Sequence, residues 1–145
     1  MAWSTRFATQ RLLKGVELAR NVIENEAPQI FQEAGDEAAD WWANRVRASG
    51  RAPGKGMDNI TARVTQPRSG GFFVRMGWLD NPPIAADGKT TWFVYQDVGY
   101  NLFGRGTTYI QGLMLQTDAR SRLTENMHEA AAEVARRSRR ALGRR

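Results

Sequence analysis

The sequence predicts an α+β fold built from one long N-terminal helix, a small antiparallel β-sheet and a C-terminal amphipathic helix, in a single domain over 1–145. Three patterns predict it. Leu12, Val16, Ala19, Ile23, Ala27, Ile30, Ala34, Ala38 and Trp41 follow one another at steps of three or four residues, which is one helical face. Between Ile60 and Leu79 apolar and polar residues alternate, which is the period of a half-buried strand. Near the end, Leu123, Met127, Ala131, Val134 and Leu142 return to helical spacing. Helices separated in sequence from a block of strands make an α+β arrangement.

The first helix is expected to occupy most of 1–50. Phe31, Trp42 and Val46 widen its stripe, and from Leu12 to Trp41 it measures roughly 45 Å at about 1.5 Å per residue. That exceeds the width of a small domain, so part of the stripe is expected to be buried by something outside the chain. Pro28 removes a backbone hydrogen bond and should bend the helix, but the stripe keeps its phase across it, which favours one kinked helix over two. Gly50 to Gly56, with three Gly and a Pro, ends the pattern.

The β-region is expected over 57–115. Ile60, Ala62 and Val64 share one face, Pro67 to Gly71 turns the chain, and Phe72 to Leu79 returns with Val74, Met76 and Trp78 together. Asp80 to Lys89 is a long loop, Thr90 to Val98 a third strand and Asn101 to Gly106 a turn. Thr107 to Leu115 fits either a short strand or an extended lead into the last helix. That helix is placed at 117–143, with Asp118 as its cap and Gly143 as its stop.

Composition narrows the function. Without Cys there is no disulfide, thiolate metal site or thiol nucleophile. No run approaches the roughly 20 apolar residues of a membrane span, so a soluble, non-secreted protein with no membrane partner is expected. His128 is the single histidine, and a helix surface suits it better than a metal or acid–base centre, which needs more partners. Gly54-Lys55-Gly56 and Gly104-Arg105-Gly106 match neither a Walker loop nor a dinucleotide fingerprint and read as turns. Neither a catalytic constellation nor a cofactor or metal site is expected.

Charge is the stronger signal. The net charge of +6 is uneven: Glu17 to Asp40 holds seven acids against Arg20 alone, while six Arg crowd the last ten residues. Glu33, Asp36, Glu37 and Asp40, with Trp41 and Trp42 beside them, and Arg136, Arg139 and Arg140 at the other end are candidates for a subunit interface. The basic end fits three descriptions: a solvated tail, a DNA-facing patch, or a surface meeting the acidic helix of a neighbouring copy. Arg63, Arg68 and Arg75 on the hairpin are further candidates for facing DNA.

Two short motifs carry a family resemblance. Ala52, Pro53, Gly56, Met57 and Ile60 follow the long helix, and Tyr95, Asp97 and Gly99 follow the hairpin. In this order, before a final amphipathic helix, they resemble the tail-completion (neck) proteins of long-tailed bacteriophages. The departures are Lys55 where that family has Thr, a shorter spacer after Pro53, Asp97 in place of Glu, and Thr107 to Gly112 in place of a Pro-Phe-rich stretch.

The resemblance implies a non-enzymatic virion subunit, made in the host cytoplasm, that forms a homo-oligomeric ring of six copies at the head–tail junction. Genomic DNA passes through such a ring, in non-specific contact, and other neck and tail proteins bind its ends. The loops Arg51 to Asp58 and Asp80 to Lys89 are then candidates for docking those neighbours. A tail terminator or head-closure component is an alternative station. From a different class, a small DNA-binding regulator remains open.

Overall fold

The computed structural model describes residues 2–49, 59–66, 70–80, 99–101, 109–111 and 115–143, with 2–9, 99–101 and 109–111 described by backbone alone. The sequence expectations for Gly50 to Asp58, the Pro67 to Ser69 turn, the loop beyond Asp80, the strand Thr90 to Val98 and residues 102–108 lie outside the described residues.

Helix α1 (Ala2–Asn21) and helix α2 (Ala27–Ala48) are joined without a loop by a π-helical segment, Val22–Glu26. Pro28 accounts for its position. A proline in a regular α-helix lacks a donor and drives its ring against the carbonyl four residues back. Here the turn is wider, with the Ala27 N–H donating to the carbonyl of Val22, five residues back, and Pro28 falls in the first turn of α2, where a missing N–H costs little. The one continuous helix expected across Pro28 is present, with the π-turn as the accommodation.

The π-turn also shifts the helical phase by one residue, and the apolar stripe is corrected accordingly. Before it the buried line is Gly15, Ala19 and Val22; five residues on it resumes at Ala27 and continues to Ala38. Leu12, Val16 and Ile23 are exposed, by 63%, 49% and 47%, so the larger residues of the predicted stripe flank the contact without filling it. The seam instead uses small residues. A Cβ on Gly15 would lie 3.3 Å from the carbonyl oxygen of Leu142, which shows how closely the two helix backbones approach.

The partner along this seam is helix α3 (Leu115–Gly143). Arg122 reaches Glu37, Asn126 reaches the carbonyl of Ala34, Arg137 reaches Glu26, and Leu142 lies against Gly15, so α3 runs antiparallel to the long helix over most of its length. Ala119, Ala130 and Ala141 are buried at intervals of eleven residues, close to three full turns. This corrects the predicted inward face. Leu123, Met127 and Val134 are half-buried at its margin, and Ala131 and Leu142 are exposed, because close backbone approach selects alanines for the centre. Asp118 lies in the first turn of α3 and does not cap it, since the helix already starts at Leu115; there its charge still opposes the positive helix end.

On its other side α2 carries a β-hairpin. Strand β1 (Thr61–Thr65) pairs antiparallel with β2 (Phe73–Gly77), with Ala62 opposite Met76 and Val64 opposite Val74 on the inner face, as the alternation predicts. Two features let helix and sheet meet. Gly35 leaves room, since a Cβ there would stand 2.9 Å from the Ala62 Cβ and 3.3 Å from Val74 Cγ1. The Gln32 amide mimics a neighbouring strand, its Nε2 donating to the Ala62 carbonyl at 2.9 Å and its Oε1 accepting from the Val64 N–H at 3.1 Å. That satisfies the edge of β1 which β2 does not take.

Ala39, Trp42, Ala43, Val46, Ile60, Leu115 and Ala119 form the main core, where the Trp42 and Trp78 ring centres are 5.4 Å apart. Trp42 is thus a core residue, which corrects its expectation as an interface residue: its ring lies on the sheet-facing side of α2, away from the acids. Strands β3 (Gly99–Asn101) and β4 (Tyr109–Gln111) pair antiparallel as a second two-stranded sheet and do not extend the first. Asn101 therefore ends a strand, while the short-strand alternative for Thr107 to Leu115 is realised at Tyr109–Gln111.

Two substitutions test this packing. Gly35→Ala is expected to lower Tm although Ala outranks Gly in helices by about 1 kcal/mol, because the hairpin must move off α2 at a cost of about 1–3 kcal/mol. Asn126→Ala removes the one buried polar tie between α2 and α3 among the described residues and is expected to cost about 1–2 kcal/mol in denaturant unfolding.

Candidate functional site

The candidate residues gather on three surfaces. The first is the outer face of the hairpin, which carries Thr61, Arg63, Thr65, Phe73 and Arg75. The register sets Arg63 directly opposite Arg75, so two exposed guanidinium groups stand side by side on adjacent strands. Facing like charges destabilise a strand pair. Asp80 offsets one of them, at 3.2 Å from Arg63, and Arg75 lies over the Phe73 ring, 5.6 Å from its centre. Phe73 itself is 54% exposed, so this face presents two cations and an aromatic ring to solvent. Arg68, the third residue expected here, lies outside the described residues.

The second surface is the side of α2 turned away from the hairpin. Glu33, Asp36, Glu37 and Asp40 are all exposed along it at steps of three and four. Glu37 is engaged inside the chain by Arg122 at 2.9 Å, and Asp36 accepts from Gln32 at 2.7 Å. Glu33 and Asp40 make no ion pair among the described residues. Trp41 is half-buried at the margin, with the Arg45 guanidinium 5.3 Å from its ring centre.

The third surface is the tip formed by α1 and the end of α3. Arg137 is drawn inward by Glu26 and Glu133, both at 2.7 Å, and Arg136 pairs with Glu133. Arg139 and Arg140 make no ion pair among the described residues, while Arg144 and Arg145 of the basic end lie outside them. Arg140 borders an open groove of about 250 Å³ with Leu18, Asn21 and Glu26. On α1, the hydrogen bond and charge of Glu24 hold the Arg20 guanidinium above its ordinary pKa.

Little here points to chemistry. His128 is exposed on α3, and among the described residues no three His, Asp or Glu side chains converge on a possible metal site. No helix among them is long and apolar enough to cross a membrane. Of the residues carrying the family resemblance, Ile60 is in the core and Gly99 opens β3; Ala52, Pro53, Gly56, Met57, Tyr95 and Asp97 lie outside the described residues.

Sequence pattern did not reveal Gln32, Asn126 or Phe73. A glutamine within a helix and an asparagine within a helix carry no periodic signal, and Phe73 stands out only once the strand pleat fixes its face. Compared with known proteins, the chain matches no family model, no curated protein and no solved structure.

The outer hairpin face makes a measurable prediction. Arg75→Ser is expected to leave thermal unfolding nearly unchanged, as is usual for a surface position. As a DNA-facing residue, the role expected of it from sequence, Arg75 would supply one phosphate contact, and its loss would then weaken duplex binding equally for all sequences and reduce the slope of log K against log salt by about 0.9 in fluorescence anisotropy titrations; an unchanged slope removes Arg75 from that role.

Proposed function

We propose that this chain is a structural subunit that assembles with copies of itself into a ring, as a tail-completion protein at the head–tail junction of a long-tailed bacteriophage. The observation that carries the assembly part is the separation of the charges that make no ion pair among the described residues. Arg140 lies level with Leu18 on the antiparallel helix pair, and Glu33 is fifteen residues further along the long helix, about 23 Å at 1.5 Å per residue. That distance exceeds the Debye length of about 8 Å at physiological salt, so the two groups do not neutralise each other within one chain. Between copies they can, and a head-to-tail contact of unlike patches closes into a ring.

The station in the neck rests on the resemblance of the two short motifs and their order along the chain. A passage for DNA asks for phosphate contacts without base readout, so that the genome is not gripped. Arg63 and Arg75 on the hairpin have that character. The same face, with Phe73, favours a second reading, a DNA-binding regulator acting as a monomer or dimer.

Native mass spectrometry across a salt series, with and without short duplex DNA, separates the two. A discrete high oligomer without DNA, six copies in the neck reading, is the expected result. The double variant Arg139→Glu, Arg140→Glu should shift it to monomer at low salt, and adding Glu33→Lys and Asp40→Lys should restore it. A monomer or dimer that binds DNA points instead to the regulator.

A further inference from the structure

We propose that α1 is a hinged arm, which undocks from α3 about the π-turn at Val22–Glu26 while α2, the hairpin and the first half of α3 stay packed. Its hold on α3 is small. Of residues 10–21 only Gly15 and Ala19 are buried, and of these only Ala19 brings a side chain, a single methyl group. Leu12, Leu13 and Val16 are 63%, 58% and 49% exposed, so the larger apolar residues of the arm contribute little to the docked contact. The cluster that receives Ala19 adds only Val22 at the turn, Ala141 and the partly buried Val134.

Polar ties stop at the turn. Arg122 to Glu37, Asn126 to the Ala34 carbonyl and Arg137 to Glu26 join α3 to α2 and to the end of the π-turn. Among the described residues no side-chain hydrogen bond or ion pair crosses from α1 to α3: Arg20 pairs with Glu24 and Asn21 with Asn25, both along their own helix. Ser138, one helical turn before Ala141, has a buried hydroxyl that makes no hydrogen bond among the described residues, so it does not serve as a tie either.

The π-turn is placed to act as the hinge. It breaks the regular ladder of helical hydrogen bonds, and helices bend at such breaks. It also sets which side of α1 meets α3. Ile23 lies four residues before the buried Ala27, so an unbroken α-helix would turn Ile23, Val16 and Leu12 toward α3 in place of Val22 and Gly15. The docked phase therefore keeps small residues in the seam and leaves large ones outside. A segment with few buried contacts beside a well-packed neighbour opens on its own, at a lower free energy than global unfolding. Opening involves one chain alone, and it bares the Gly15 and Ala141 surfaces that the closed form hides.

Native-state amide exchange of the wild-type chain, followed by NMR over a series of low guanidinium concentrations, tests the hinge. Most helical stability in proteins comes from packing, so an undocked α1 loses the protection of its amides. The expected result is that the amides of 10–21 exchange as one unit, with protection at least a hundredfold below those of 30–46 and a shallower dependence on denaturant. As a second readout, Ala19→Cys puts the sole thiol of the chain in the seam and Ala43→Cys puts it in the main core. Maleimide should label the first at least a hundredfold faster.

Equal protection and equal denaturant dependence in both stretches, with the two thiols labelled at one rate, overturn the arm. Protection that climbs residue by residue from Gln10 to Asn21 also overturns it, since that is fraying from the helix end without a hinge. Should either Cys variant fail to fold, the exchange of the wild-type chain decides alone.

Discussion

The close antiparallel contact between the long helix and α3 is the constraint on which the rest of the molecule depends. It is made by small residues, Gly15, Ala19, Ala119, Ala130 and Ala141, and not by interlocked large ones. Backbones that approach this closely gain dispersion contacts along their whole length but bury little side-chain area per residue. Most of the large buried apolar surface is therefore at one end, where Trp42, Val46, Ile60, Leu115 and Trp78 meet under the hairpin. At the other end the second cluster comprises only Ala19, Val22 and Ala141 with Val134 beside them.

This uneven distribution links the fold to the proposed function. Gly35 and Gln32 dock the hairpin onto α2, one by giving space and the other by completing the edge of β1. Asn126 joins α3 to the carbonyl of Ala34 on the same helix. The hairpin end is thereby pinned by specific polar and steric contacts, whereas among the described residues the α1 end is a helix pair with exposed apolar flanks, and Arg139 and Arg140 there make no ion pair.

The ion pairs matter less to stability than to what they leave unpaired. All are at least partly exposed, and such pairs contribute little each. Their effect is selective: Glu133 and Glu26 occupy Arg136 and Arg137, Arg122 occupies Glu37, and Arg139, Arg140, Glu33 and Asp40 make no ion pair among the described residues. On the hairpin, Asp80 offsets Arg63 while Arg75 stays over Phe73, so the outer face retains positive character.

By itself the sequence determined the element types. Helical spacing from Leu12 onward, alternation from Ile60 to Trp78 and renewed helical spacing after Leu115 are local properties, and α-helices and strands follow from them wherever they pack. It also determined the inner face of the hairpin, because the strand period of two leaves a single choice. It did not determine which side of each helix is buried. Leu12, Val16 and Ile23 keep perfect spacing yet lie exposed, since one π-turn before Pro28 rotates everything upstream by about one residue and the seam closes on Gly15 and Ala19 instead. Likewise the acidic run and the arginine-rich end were plain in the sequence, but which charges stay unpaired was decided by the antiparallel register of the helices. That register depends on contacts between residues a hundred positions apart, such as Ala34 and Asn126, and no local pattern encodes them.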